Sequence, residues 1–223
     1  MPKKPSQDEQ KLIDSSERGN LASVRYLLAN DVNINCHKEN GETSLHVASS
    51  KGHLNIVKEL LDRSALLHMT DELGTSSLHE ASRHGHFDVV LELLGRGAIL
   101  DSAADEFGRT SLHLASENGH AEVVVELIKR GAKFDVASKR DRTPLHEASS
   151  KGHLEVVSAL LHQGIPSFTA GEFGWTALHE AAANGHLSVV QMLLDFGFDL
   201  HLTDNIGRTP MHMSFPSCDR RVQ

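Results

Sequence analysis

Thr43-Ser44-Leu45-His46 is a phrase that returns along the chain as Ser76-Ser77-Leu78-His79, Thr110-Ser111-Leu112-His113, Thr143-Pro144-Leu145-His146, Thr176-Ala177-Leu178-His179 and Thr209-Pro210-Met211-His212. Its histidines are spaced by 33, 34, 33, 33 and 33 residues. A fixed period in the range of about 20–50 residues marks a repeat architecture, in which each unit buries its apolar face only against its neighbours. Such a stack presents a long surface, which suits holding a partner better than reacting a substrate in one pocket.

Around the phrase each unit follows one grammar. In residues 74–97, Gly74 permits a tight turn and Ser76 is placed to cap a helix opened by Ser77. Leu78, Ala81 and Ser82 fall on one helical face, and Gly85 ends that helix as an αL cap. Phe87, Val89, Val90, Leu93 and Leu94 predict a second amphipathic helix, ended by Gly97. Turn glycines recur at Gly41, Gly74, Gly108, Gly174 and Gly207, with Asp141 at the one exception. Interhelix glycines recur at Gly19, Gly52, Gly85, Gly119, Gly152 and Gly185. Five of these precede a histidine (His53, His86, His120, His153, His186), which is expected to sit between helices facing the next unit; Gly19 precedes Asn20. The first unit is degenerate, with Ile13 in place of the phrase histidine, and reads as a cap. The 34-residue step puts an extra residue between Leu100 and Asp105, in a loop, where insertion costs little. After Met211-His212 the pattern decays through Pro216, and no second helix is expected before Gln223.

Composition narrows the class. Hydrophobic residues make up 39% of the 223, enough for a folded chain, and aromatics only 4%, so the core is built from Leu, Val, Ile and Ala. A net charge of −8 argues against a nucleic-acid partner and favours a partner with a basic surface. Cys36 and Cys218 lie at opposite ends of the array and are expected to be free thiols in a reducing compartment. No secretory signal and no run long enough to span a bilayer is visible, and Lys3-Lys4 is too short for a nuclear signal. These features point to a monomeric protein of the cytoplasm or nucleus, with no membrane partner.

The repeated phrase, read most fully as Thr143-Pro144-Leu145-His146, its 33-residue period and its paired helices resemble the ankyrin repeat, whose motif is T-P-L-H-x-A, over about residues 11–213. The resemblance implies an all-α ankyrin-repeat solenoid of stacked antiparallel helix pairs with projecting β-hairpin-like loops. It implies about seven units, the first a cap and the last truncated, between a flexible tail at 1–10 and a C-terminal tail at 214–223. It implies a non-catalytic scaffold or adaptor that binds a protein through loop tips and the concave face of the first helices. The alternative is a regulatory ankyrin module of a larger system, such as a transcription regulator, a ubiquitin-ligase adaptor or a multidomain enzyme. In such repeats an asparagine after the second helix can be hydroxylated. Here Asn35 holds that place, against His68, Asp135 and His201 in other units.

The sixteen histidines invite a metal reading, but eleven occupy the two repeat positions. Successive units are offset by about 10 Å, too far to share one zinc at bonds of about 2 Å. His79-Glu80, His146-Glu147 and His179-Glu180 begin an H-E-x-x-H pattern, but Arg83, Ser150 and Ala183 stand where the second histidine is required. No nucleophile elbow, phosphate loop, dinucleotide fingerprint or C-x-x-C is present. No enzyme, cofactor or metal is expected.

What varies inside the strict repeat is surface. At the loop tips these positions are Leu73, Phe107, Arg109, Arg140, Arg142, Phe173, Trp175, Ile206 and Arg208. At the ends of the first helices they include Arg83, His84, Glu117, Asn118, Lys151 and Asn184. These are the candidate partner-binding residues. Phe173 and Trp175 make either an aromatic hot spot, or a pair in which Phe173 packs on the neighbouring loop and Trp175 alone is exposed. Arg109, Arg140 and Arg142 make either a basic strip or a row neutralised by salt bridges.

Overall fold

The computed structural model describes residues 5–104, 107–164 and 169–213. Lys3, Lys4, Cys218 and the segment 214–223 lie outside them. The described residues form thirteen α-helices and no strand, in two compact units, Met1–Ser111 and Leu112–Gln223.

The first unit contains α1 (Gln7–Glu17), α2 (Leu21–Ala29), α3 (Ser44–Ser50), α4 (Leu54–Asp62), α5 (Ser77–Arg83) and α6 (Phe87–Gly95). The first helices α1, α3 and α5 pack in series, and the second helices α2, α4 and α6 pack behind them. α1 begins inside the segment 1–10 expected to be a tail, because Ser6 and Glu9 form a capping box at its start. Leu12 and Ile13 bury completely, so the cap unit keeps its core without the phrase. α7 (Ser111–Glu117) starts at the boundary. The second unit continues with α8 (Ala121–Lys129), α9 (Pro144–Lys151), α10 (Leu154–Leu161), α11 (Ala177–Ala183), α12 (Leu187–Asp195) and α13 (Pro210–Met213). Here α9 packs on α11 and α11 on α13, with α8, α10 and α12 behind. The Val-Val-x-x-Leu face of each second helix, such as Val89, Val90 and Leu93, is buried in both units.

The phrase is a clamp. The Thr43 N–H donates to His46 Nδ1 at 3.2 Å, and the Thr43 hydroxyl oxygen lies 2.8 Å from the same nitrogen. An N–H donor on Nδ1 makes it the acceptor and leaves the ring proton on Nε2. That Nε2–H donates to the Thr75 carbonyl of the next loop, 29 residues on, at 3.1 Å. His113, His146 and His179 reach the carbonyls of Arg142, Trp175 and Arg208 across the same 29-residue step, at 3.0, 3.1 and 3.0 Å. His79 reaches Ser102 at 2.9 Å instead, within the unit that carries the 34-residue step. All five rings are buried.

The Gly-His histidines point the other way from the expectation. Their rings face the preceding unit. His53 Nε2 bonds the Glu17 carbonyl, His86 that of Ser50, His153 that of Glu117 and His186 that of Ser150, at 2.9–3.0 Å. Each ring lies on the glycine that ends the previous first helix. A Cβ on Gly52 would come within 2.5 Å of His86 Nδ1, so the ring fills the space a side chain would need. The backbone there has φ 73°, which also favours glycine.

Between helix pairs the loops form hairpin-like turns, with antiparallel bridges at His37–Thr43, Thr70–Ser76, Ala104–Arg109 and Ala170–Thr176. Neighbouring loops are joined backbone to backbone: Glu72 N–H to the Asn40 carbonyl, Glu172 to Arg140, and Asn205 to Phe173. Asn35 serves this seam, its side-chain oxygen accepting from the Leu66 N–H at 2.9 Å. Asp141 adopts φ 54° where other units have glycine, so the aspartate takes up the left-handed turn.

Two predictions follow from the clamp. Ser77 occupies the first helical position with a buried hydroxyl that lacks a partner among the described residues, whereas Pro144 holds that position in α9. Proline suits it, because the N–H there is unbonded and the preceding residue is already extended. Ser77→Pro should stabilise by about 1 kcal/mol and raise Tm by about 2–4 °C in thermal denaturation; a lower Tm would contradict the assignment. Second, burial, with the Arg142 guanidinium adding to it, pushes His146 down to about 4, and burial also lowers His46 and His179. An unfolded histidine titrates near about 6.5, so this stability is complete above that pH and is lost as pH falls toward the folded value. Tm should fall steadily from about pH 6.5 toward 4, and ¹⁵N NMR should show His146 neutral with its proton on Nε2 at about pH 5.5. An imidazolium signal at that pH would refute the clamp's tautomer.

Candidate functional site

In the second unit, two loop tips present apolar side chains to solvent. Phe173 is 66% exposed and Ile206, one repeat on, is 72% exposed. The Asn205 N–H donates to the Phe173 carbonyl at 3.0 Å, which holds these tips side by side. Phe173 sits at φ 63°, ψ 15°, a left-handed conformation that disfavours a bulky side chain. This position therefore combines backbone strain with an exposed aromatic ring.

Trp175 behaves in the opposite way. Its ring stacks on His179, with centroids 6.5 Å apart and planes at 25°, and the Arg208 guanidinium lies over it, 5.8 Å from the ring centre. Its carbonyl accepts from His146 Nε2. Phe173 is the exposed partner and Trp175 the packed one, the reverse of the expected packing alternative. The reason is position. Phe173 stands at the reversal of the turn, whereas Trp175 lies just before the cap Thr176, where the chain runs back along the stack. Arg208 is further held by Asp204 at 2.8 Å, and its bonds help lower the Asp204 carboxyl against burial, which raises it.

Arg142 is directed into the stack. Its guanidinium meets both oxygens of Glu147, at 2.9 and 3.1 Å, and one oxygen of Glu180. The Arg142 side chain is only 20% exposed. Burial pushes Glu180 up, with Arg142 opposing, and the two carboxylates hold Arg142 above its usual value against burial. Of the expected arginine strip, Arg142 is thus salt-bridged. Arg140, also in this unit, is exposed. In the first unit Arg109 lies 5.6 Å over the Phe107 ring, and both are half-buried. Leu73, at a loop tip of that unit, is 64% exposed.

The first-helix ends form a second row. In the first unit His84 lies 3.6 Å and Arg83 3.7 Å from Glu80. Burial lowers His84, with Glu80 opposing. In the second unit the Asn118 and Asn184 amides fold back onto the Leu114 and Glu180 carbonyls, at 2.8 and 2.9 Å, and Lys151 is exposed. Glu117, half-buried, contributes its carbonyl to His153. Arg18 is missing from the candidate residues read from the sequence because the N-terminal cap repeat lacks the phrase. The signal that finds it is the period itself: Arg18, Lys51 and His84 succeed one another every 33 residues.

The stacked imidazoles are committed to backbone partners at both nitrogens or to the glycine beneath them. Among the described residues no group of three or more His, Cys, Asp or Glu could hold a metal ion, and no helix is long and apolar enough to cross a membrane. Burial, with Glu9 adding to it, pushes the Cys36 thiol up to about 12, so it carries little thiolate.

A family model for ankyrin repeats (3 copies) matches residues 12–104 and 99–170, and one for ankyrin repeats (many copies) matches 165–214. Among solved structures the chain is similar to the human ASB11 ankyrin repeat domain, with 28% identity, a TM-score of 0.85 and 92% of each chain covered. No curated protein matches it.

Replacing Phe173 separates its two features. Phe173→Gly removes a left-handed penalty of about 1–2 kcal/mol, offset by about 0.5–1 kcal/mol of glycine entropy. Tm should stay level or rise although a large aromatic is lost. A clear fall in Tm would show that the ring packs within the chain.

Proposed function

Because the chain belongs to the ankyrin repeat family, we propose that it is a non-catalytic scaffold or adaptor whose loop tips and exposed first-helix faces bind a partner protein. Ankyrin repeats are in general protein–protein interaction modules. The observation that carries the reading is the pair Phe173 and Ile206. Both are large apolar side chains at adjacent loop tips, in units whose other loop positions are clamped by buried histidines. Aromatic side chains are enriched among residues that dominate binding energy, and a ridge held by backbone hydrogen bonds loses little ordering entropy on binding. On this reading the protein acts inside the cell, as a monomer, without metal or cofactor.

The test is a double variant, Phe173→Ala with Ile206→Ala, compared with the parent in quantitative partner capture. Capture should weaken by more than about tenfold while Tm is retained, since neither side chain contributes to a core. Undiminished capture would move the binding site away from these tips.

A further inference from the structure

The first unit carries a row of basic residues at the ends of its first helices, two of which stand outside any ion pair among the described residues. The residues that end its first helices are Arg18 on α1, Lys51 on α3 and His84 on α5, at successive 33-residue steps. A cation at a helix C-terminus is favoured by the helix dipole, which accounts for the residue type. It does not account for the pairing. The second helices of the same unit also end in cations, Arg63 on α4 and Arg96 on α6. Each of these has a carboxylate one turn back, Glu59 at 2.7 Å and Glu92 at 3.0 Å. Arg25, Lys38 and Lys58 are likewise ion-paired. Arg18 and Lys51 are exposed and have no ion-pair partner among the described residues. The residue one turn before Lys51 is Val47, and the one before Arg18, Asp14, accepts from Gln10 at 2.8 Å. The unit thus neutralises its cations along the second helices and leaves two adjacent ones open along the first.

We propose that this row docks an acidic polypeptide segment with its carboxylates spaced to match the repeat. It rests on the protein-binding reading above but names a different face and the chemistry of what binds there. The net charge of −8 taken alone favours a basic partner; this local row selects an acidic one. Packed helices lie about 8–10 Å apart, and a polyproline II segment, with about three residues per turn and a rise of about 3.1 Å per residue, returns a side chain to the same face about every 9 Å. An acidic side chain at every third residue therefore meets Arg18 and Lys51 in register and reaches Arg83 and His84 at the next step. Nucleic acid would bring a denser negative charge to a chain whose overall sign opposes it.

The experiment uses fluorescence anisotropy on the full chain with three labelled probes. One is a short peptide with glutamate at every third position, one has the same composition with its glutamates contiguous, and one is a single-stranded oligonucleotide of equal charge. The spaced peptide should bind best and weaken as salt is added. Arg18→Glu with Lys51→Glu should weaken it by about tenfold or more at unchanged Tm, whereas Arg63→Glu, which adds the same charge change per residue on the second-helix face, should weaken it far less. The Phe173→Ala, Ile206→Ala variant should bind the peptide as the parent does, so failure of either proposal is seen separately. Equal binding by the double-reversal variant, equal loss in Arg63→Glu, or preference for the oligonucleotide would overturn the inference.

Discussion

The structure depends on one imidazole used at both nitrogens. In the phrases of His46, His79, His146 and His179, Nδ1 accepts from the backbone of its own cap and Nε2 donates to a carbonyl of the following loop. A repeat unit has too little core to fold alone, so contact between neighbours supplies its stability. Buried polar groups must be satisfied, and the histidine satisfies three at once while joining successive units. A second imidazole, from the Gly-His position, reaches back onto the glycine of the preceding unit. Neighbouring units within each compact body are therefore tied forward through the loops and backward through the helix ends.

That double tie separates the positions that carry the fold from those left open at the surface. Side chains in the clamp are buried and chemically committed, so their abundance says nothing about catalysis. Side chains at the turn reversal and at the first-helix ends are left outside it. Among these, Phe173, Ile206 and Leu73 stay exposed, whereas Trp175, Arg142 and Arg208 are drawn into internal contacts. Charge follows the same division. Arg142 is held between Glu147 and Glu180, and breaking such a partly buried cluster would strand two carboxylates. Arg18 and Lys51, outside any cluster, remain open to solvent.

Much of this was legible in the sequence. The period, the Ser76 cap, the αL glycines and the Val89-Val90-Leu93 face each read directly, because they are local rules of helix and turn chemistry. Asp141 in the left-handed turn was legible for the same reason. The candidate site was legible only as a set of variable positions. That Phe173 is exposed and Trp175 packed turns on a reversal of chain direction between them and on two groups from elsewhere in the chain, His179 and Arg208. That Arg142 is neutralised turns on Glu180, 38 residues away.

The sequence by itself determined the architecture, the alternation of helices and turns and the absence of known catalytic motifs, since a 33-residue period and local capping leave few alternatives. Only the tertiary structure decided which variable residues are exposed and which are drawn into internal contacts. Exposure and ion pairing depend on the neighbouring unit, and the period that aligns two side chains does not state whether they pair. Arg25 shows the difference: its carboxylate partner, Glu59, lies 34 residues away on the second helix of the next repeat, and that pairing appears only once the helices are stacked.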